Sequence, residues 1–393
     1  MFNTTESHKA DFHKTNFRKV MHVCLSSGWG GLEMYPARII PELTRQGWEV
    51  HGLALEGSLV ADSLRRAGIE PLTMSSRTRA LLSVTSILSY LKAHDIRVLH
   101  CHKSSDLRLG ALLVTLNSRL RLFFTDHMGV TRPKRDLYHR WAYGRVTRLF
   151  SISETTRQRN LAAFPLPSER IERLYLGIDT ASYDTPLGPQ EHEAFRAELG
   201  IPEGAVAIGL PGRITPGKGQ RVFIDALVRL ADIPSSQRWH ALVIGGLTAE
   251  QGSHADLVAE LRQRVAKAGL EQQVTFTGFR NDLPHCLNVL DIVCVPSRNE
   301  AFGLTVIEAM AASRPVIGAN SGAIAELVNP TFGRLVDPDD ANGWAHAMLE
   351  LIQDANLRCQ MGRAGQQQVA RDFTQQRHVA RLVEAYTEAL LMP

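Results

Sequence analysis

Two carboxylates eight positions apart, Glu300 and Glu308, stand in the segment Pro296-Ser297-Arg298-Asn299-Glu300-Ala301-Phe302-Gly303-Leu304-Thr305-Val306-Ile307-Glu308-Ala309-Met310. An apolar run, Asp291 to Val295, leads into it, and a helix-forming run of small and aliphatic residues follows from about Gly303. The pattern predicts Glu300 in a loop at the carboxyl end of a strand and Glu308 about a turn and a half inside the next helix. Ligands of open α/β sheets bind at such strand ends. Ionised carboxylates only accept hydrogen bonds, so two of them there suit a polyhydroxylated ligand.

Two glycine-rich turns complement the acids. In Leu210-Pro211-Gly212-Arg213-Ile214-Thr215-Pro216-Gly217-Lys218-Gly219 a strand ends and a helix begins, and Arg213 and Lys218 are the cations. Backbone N–H groups at a helix N-terminus together with two cations suit a diphosphate, although a tight turn with two exposed basic residues has the same pattern. The G-x-x-x-x-G-K-[S/T] loop of nucleoside triphosphatases is absent. Near the start, Ser27-Gly28-Trp29-Gly30-Gly31-Leu32-Glu33 follows the first strand. Gly30 and Gly31 let the backbone approach a ligand, or serve packing alone. The nicotinamide fingerprint fails there, because Glu33 stands where its third glycine belongs.

His127 follows the strand Leu120 to Thr125 and would sit at its carboxyl end, donating to a hydroxyl or simply bonding within its loop. His100 and His102 end another strand. Gly278-Phe279-Arg280 follows Val274 to Thr277, where a loop either meets a nucleobase or merely turns. Ser321 to Glu326 reads equally well as a helix cap. No Asp-x-Asp motif is expected in a strand-end loop, Asp339-Asp340 following Pro338 in a late loop.

The elements that would hold these groups alternate as short apolar runs and amphipathic stretches, the mark of βαβ units and a parallel sheet. Strands are expected at Val20 to Leu25, Trp48 to Leu55, Arg97 to Cys101, Leu120 to Thr125 and Arg148 to Ile152. After a Pro- and Gly-bearing pause they resume at Ala205 to Leu210, Trp239 to Ile244, Val274 to Thr277, Asp291 to Val295 and Pro315 to Gly318. Beyond Asp337 the chain reads as helical, with amphipathic runs from Ala341 to Gln353 and from Thr374 to Leu391.

The 393 residues hold material for two or three domains, and 44% hydrophobic content is ordinary for a globular protein. No window approaches a membrane-spanning apolar run. The first 19 residues are polar and lack the apolar centre of a signal peptide. Cys24, Cys101, Cys286, Cys294 and Cys359 are odd in number and form no C-x-x-C pair, which fits buried thiols in a reducing cytosol. Charge is uneven. Residues 1–190 carry 26 Lys and Arg against 17 Asp and Glu, or +9, and the remainder carries −5. Arg77, Arg79, Arg132, Lys134, Arg135, Arg140, Arg145 and Arg148 supply much of that excess, which suits an anionic partner or merely solubilises the first half.

Taken in chain order these segments resemble the retaining glycosyltransferases of the GT-B fold, family 4 (glycosyl transferases group 1), over residues 20 to 390. The resemblance rests on the E-x7-E pair Glu300 and Glu308, on Gly212-Arg213-x4-Lys218, on Gly30-Gly31-Leu32-Glu33, on Tyr175-Leu176-Gly177-Ile178-Asp179 and on Glu326 after Gly322. Tyr175 and Leu176 depart from the family's apolar-Pro-Asn lead-in.

The resemblance implies an α/β protein of two doubly wound parallel-sheet, Rossmann-like domains facing a central cleft, the C-terminal helix packing back towards the N-terminal domain. A disordered extension, 1–19, would precede an acceptor-side domain, 20–185. A linker, 186–204, a nucleotide-sugar donor domain, 205–372, and the helix 373–393 would follow. Arg213 and Lys218 would bind the donor diphosphate and stabilise the departing nucleoside diphosphate. Glu308 would accept from the ribose, Glu300 from the transferred sugar, and His127 would orient that sugar. Gly303 and Leu304 would present N–H groups to donor oxygens, Phe279 would lie at the base, and Gly30 and Gly31 would approach the phosphates or the acceptor. Glu326 would support the site.

The implied activity is retaining, metal-independent hexosyl transfer from a nucleotide-diphosphate sugar to a cell-envelope acceptor: lipopolysaccharide, a lipid-linked glycan or a polysaccharide. No cofactor beyond the co-substrate, no nucleic acid and a cytoplasmic location go with it, the basic half resting peripherally on an anionic membrane surface. A nucleotide-sugar epimerase of the same fold and a non-catalytic nucleotide-sugar-binding protein are the alternatives.

Overall fold

The fold was obtained as a computed structural model, which describes residues 18–130, 132–183 and 187–392. Most of the extension expected at 1–19 lies outside the described residues, and Lys19 already belongs to the first strand. The chain divides into two compact units, Met1–Tyr175 with Gln375–Pro393, and Leu176–Thr374.

The first unit holds a seven-stranded sheet, β1 (Lys19–Cys24), β2 (Glu49–Leu55), β3 (Leu72–Met74), β4 (Val98–Cys101), β5 (Arg121–Asp126), β6 (Val146–Ser151) and β7 (Ile171–Arg173), in the order β3-β2-β1-β4-β5-β6-β7. All its pairings are parallel. Parallel sheets bury both faces, which is why these strands read as apolar runs rather than alternating ones. One face packs Met21, Val23, Leu53, Leu99, Leu122, Phe124 and Leu149 into the main core. The other face carries polar residues. His22 pairs across to His100, and His100 to Phe123, so these side chains share a row beside Thr125. The helices Gly31–Arg45 and Gln375–Leu391 pack against each other, and the second of them brings Tyr386 onto the row, its ring 4.8 Å from Phe123 and 5.2 Å from Trp48. The last helix is thus part of the first unit, as expected of a C-terminal helix that packs back.

The second unit holds six parallel strands, β8 (Val206–Pro211), β9 (Trp239–Ile244), β10 (Val274–Gly278), β11 (Ile292–Val295), β12 (Val316–Ala319) and β13 (Gly333–Val336), in the order β10-β9-β8-β11-β12-β13. Strand order reverses between β1 and β4 in one sheet and between β8 and β11 in the other. At such switch points adjacent loops diverge and leave a crevice outside the strand ends. The stretch 186–204, read as a linker, contains the helix Pro189–Glu198, with Pro at its first position where the missing N–H costs nothing.

Candidate functional site

The switch point of the second sheet gathers most of the expected residues. The Arg213/Lys218 loop leaves β8 and the Glu300 loop leaves β11. Gly219 caps the helix Gln220–Ala231 with φ of +78°, and a Cβ there would lie 2.2 Å from the carbonyl oxygen of Pro296. Only glycine lets the two loops come this close. Arg298 N donates to the Gly217 carbonyl at 2.8 Å, which ties the loops directly. On its other side the Glu300 carbonyl accepts from Ala323 N at 3.0 Å, and Asn299 N donates to Ser321 Oγ at 3.2 Å. Ser321 to Ala323, read earlier as a cap, therefore braces the Glu300 loop.

Lys218 Nζ lies 3.1 and 2.9 Å from the two carboxylate oxygens of Glu300. The group expected on the phosphates and the group expected on the sugar thus meet each other. Both are about a quarter to a third exposed, at 32% and 24%, so an incoming anion can reach the ammonium. Arg213 is exposed and forms no ion pair among the described residues. Its carbonyl accepts from Gln220 Nε2 at 2.9 Å, and Ile214 N donates to Ser253 Oγ at 3.0 Å, so the backbone beneath this free guanidinium is fixed.

Gly303 caps the helix Leu304–Ala311, whose first N–H groups point out of the site end. Glu308 is its fifth residue, about a turn and a half inside as the sequence pattern predicts, and is half-buried. Phe279 is exposed just beyond β10. Glu326 lies in the short helix Ile324–Leu327 behind the brace.

Contrary to expectation, an Asp-x-Asp sequence does follow a strand. β13 ends at Val336, so Asp337-Pro338-Asp339 begins directly after it. The strand, Gly333-Arg334-Leu335-Val336, holds only two apolar residues, too few to announce itself in the sequence. Its acids shape the turn. Asp337 Oδ1 accepts from Asp339 N at 2.8 Å, Asp339 pairs with Arg298, and Asp340 caps the helix Ala341–Gln353 through Gly343 N at 2.9 Å.

In the first unit the loop after β1 is closed by Glu33. Its Oε1 accepts from Ser26 Oγ at 2.7 Å, and Ser26 Oγ also receives Lys103 Nζ at 2.9 Å. Gly30 caps the helix Gly31–Arg45, and Gly30 and Gly31 are half-buried and exposed. Sequence reasoning missed Lys103, which the short β4–helix connection carries to this loop. His127 follows β5 as expected but is buried, 8% exposed. Its Nε2 lies 3.4 Å from His102 Nδ1, and Tyr35 stands edge-on at 4.7 Å. Burial pushes its pKa down to about 3, so the imidazole is neutral and is held by neighbours rather than by charge.

Behind it lies a layer of rings: His22 Nδ1 is 2.8 Å from His102 Nε2, His100 bonds Thr125 Oγ1 at 2.7 Å and the Tyr386 hydroxyl, and Tyr35 bonds His378 at 2.6 Å. His22, His100 and His102 bring one nitrogen each within 4.8 Å of the others, a donor set that suits a transition metal. Most of those nitrogens already hold protein hydrogen bonds, His22 Nε2 being the exception.

Several basic residues of the first half do structural work. Arg77 donates to the Leu25 carbonyl at 2.7 Å, Arg135 to the Ala162 carbonyl at 2.8 Å, and Arg148 pairs with Glu172 at 3.0 Å and Glu388 at 2.6 Å. No helix among the described residues is long and apolar enough to cross a membrane.

Residues 29–182 match the family model Glycosyltransferase Family 4, and residues 191–368 match Glycosyl transferases group 1. The lipopolysaccharide core biosynthesis mannosyltransferase LpsB of Rhizobium meliloti is 29% identical over 300 residues, 75% of this chain and 80% of its own length. A D-inositol 3-phosphate glycosyltransferase of Jonesia denitrificans is 37% identical over 210 residues, 52% of this chain and 48% of its own. Among solved structures, a glycosyltransferase from Rickettsia africae aligns with a TM-score of 0.86 at 20% identity, covering 96% of this chain and all of that one. Anabaena HepE in complex with UDP aligns at 0.80 and 23% identity, covering 94% of this chain and all of that one.

Proposed function

Because the chain belongs to the group 1, or family 4, glycosyltransferases and has their GT-B fold, we propose that it moves a sugar from a nucleotide-diphosphate sugar to a hydroxyl of a cell-envelope glycan or glycolipid, with retention and without a metal ion. The observation that carries this is the unpaired Arg213 beside the Lys218–Glu300 couple at the β8/β11 switch point. LpsB acts in lipopolysaccharide core biosynthesis and HepE holds UDP, and both support the choice of acceptor and donor.

The chemistry follows from the charges. In transfer, the bond between the anomeric carbon and the diphosphate oxygen breaks and its electrons go to that phosphate. The acceptor hydroxyl oxygen bonds the anomeric carbon on the same face, and its proton passes to the leaving phosphate. Negative charge therefore grows on the diphosphate, where Arg213, Lys218 and the N–H groups at Leu304 can stabilise it. A phosphate that takes over Lys218 releases the Glu300 carboxylate, which is then free to accept from hydroxyls of the sugar. Lys218 and Glu300 neutralise each other until the donor arrives. Glu308, in the second turn of the helix, would accept from the ribose.

Proton NMR of the product tests the stereochemistry. The anomeric configuration of the donor is expected to be kept, with an unchanged rate in EDTA. Inversion or loss of activity in EDTA would overturn those parts of the reading, and an epimerised donor formed without acceptor would overturn transfer itself.

A further inference from the structure

The first unit contains a cavity of about 360 Å³. That volume lies at the lower end of the range for small-molecule sites and admits one sugar with a substituent. It opens where β4 and β5 end, and Tyr143 of the helix Leu137–Gly144 and Phe164, just past the helix Glu154–Ala163, contribute its inner wall. The floor is aromatic. Tyr143 stacks on Phe164 at 4.4 Å, and Phe124 meets Tyr143 at 6.3 Å.

Its polar groups are unevenly satisfied. Lys103 leans to Glu33 at 4.0 Å and to Ser26. Arg132 and Lys134, on the rim, form no ion pair among the described residues. Lys134 is fixed through its backbone, which donates to the Ala163 carbonyl at 2.8 Å. Asp126 Oδ1 accepts from Met128 N at 3.3 Å. Tyr143, only 2% exposed, is one of the lining residues, and its hydroxyl is buried without a hydrogen-bond partner. A buried hydroxyl without a partner forfeits its desolvation cost unless a ligand supplies the bond. Two unpaired cations beside an unpartnered hydroxyl, over an aromatic floor, describe a receptor for a small anion that carries a ring.

We propose that this cavity seats an anionic group of the acceptor, a phosphate or a carboxylate borne by the sugar that receives the transferred residue. Arg132 and Lys134 hold the anion, Tyr143 bonds one of its oxygens or a neighbouring hydroxyl, and Asp126 accepts from another hydroxyl. The assignment to an acceptor rests on the glycosyl-transfer reading above. The anion preference rests on the cavity alone. Arg132 and Lys134, read in the sequence only as part of a basic surface, become specificity-determining residues.

The test titrates the full-length chain with glucose 6-phosphate, glucuronate and glucose, followed by calorimetry and saturation-transfer NMR. At least one anionic probe is expected to bind roughly tenfold or more tightly than glucose, as charge-assisted hydrogen bonds would make it. Binding of the phosphate probe alone assigns a phosphorylated acceptor, and binding of glucuronate alone assigns an acidic sugar. The double variant R132E/K134E is expected to abolish the preference while leaving any melting shift by nucleoside diphosphates in place. Tyr143→Phe keeps the ring, should hold its melting temperature, and should weaken the anionic probe severalfold. Equal binding of glucose and both anions, or a preference that survives in both variants, overturns the proposal. Anionic probes that bind as described to a protein that no nucleoside diphosphate stabilises would leave the cavity an anion-sugar site and sink the transfer reading instead.

Discussion

Lys218→Ala is expected to lower kcat/KM for the donor by two to three orders of magnitude, about 2.7–4 kcal/mol, while the fold persists. That is the size of effect seen when one fixed donor is withdrawn from charge that develops in a transition state. Lys218 is one-third exposed, and its resting partner is a single carboxylate, so its removal leaves no cavity in the core. The substitution also leaves Glu300 without its cation. Glu300→Gln is the informative companion, because it frees Lys218 without removing it. Diphosphate affinity should then hold or rise, while turnover of the sugar falls. A Lys218→Ala enzyme with unchanged kcat/KM would remove the ammonium from the mechanism. Initial rates across donor concentrations separate the two outcomes.

Stability should fall steeply on mild acidification. Burial pushes the imidazoles of His22 and His127 down to about 3, that of His378 to about 4, and those of His100 and His102 well below the usual range. In the unfolded chain each titrates near 6.5. The folded protein therefore holds these rings neutral, and below about pH 6.5 only the unfolded chain takes up their protons. Their contribution is complete above the unfolded pKa and is lost as pH falls towards the folded one.

Between about pH 7.5 and 5.5 each ring costs roughly 1.4 kcal/mol, so the five rings together cost on the order of 7 kcal/mol, comparable with the whole stability of many domains. Asp106, raised to about 6 by burial, acts in the opposite sense and offsets less than one ring's share. Urea unfolding followed at both pH values checks this. A midpoint that stays level would mean that the imidazoles are protonated in place. The last helix should be the first element to loosen, since Tyr386 and His378 meet the layer from it.

The two expectations differ in how far the sequence discloses them. Strands whose apolar runs have five or more residues are visible to within about two residues of their ends, and Trp239–Ile244 coincides with the reading. β3, β7 and β13 carry at most two apolar residues each, too few to show as an apolar run, and they are missed. The helix Leu107–Leu116 is missed for another reason: it is apolar on nearly every side, so it shows no stripe. The Glu300 loop and the Arg213/Lys218 loop stand out because each joins an apolar run to a helix through glycines. That Lys218 reaches Glu300, 82 positions away, follows only from β8 lying beside β11.

The imidazole layer left a fainter trace. His100 in β4 and His102 just past its end sit two apart, and His22 falls opposite His100 on the neighbouring strand. Polar residues at period two inside an otherwise apolar parallel strand are the signal that could have found it. Without the register between β1 and β4, they read as strand ends. Arg132 and Lys134 were visible only as charge, and the cavity that gives them a role is built from segments scattered from Leu32 to Phe164.

The central claim is that the β8 and β11 loops form a diphosphate site. A thermal-shift panel of UDP, GDP and ADP and their sugars, run on the wild-type chain and on Arg213→Ala, tests it most directly. A ligand that binds only the folded state raises the melting temperature by mass action. At least one nucleoside diphosphate should produce a concentration-dependent rise in the wild type that Arg213→Ala largely loses. A panel in which none shifts the wild-type melting temperature, or in which Arg213→Ala responds equally, would contradict the account.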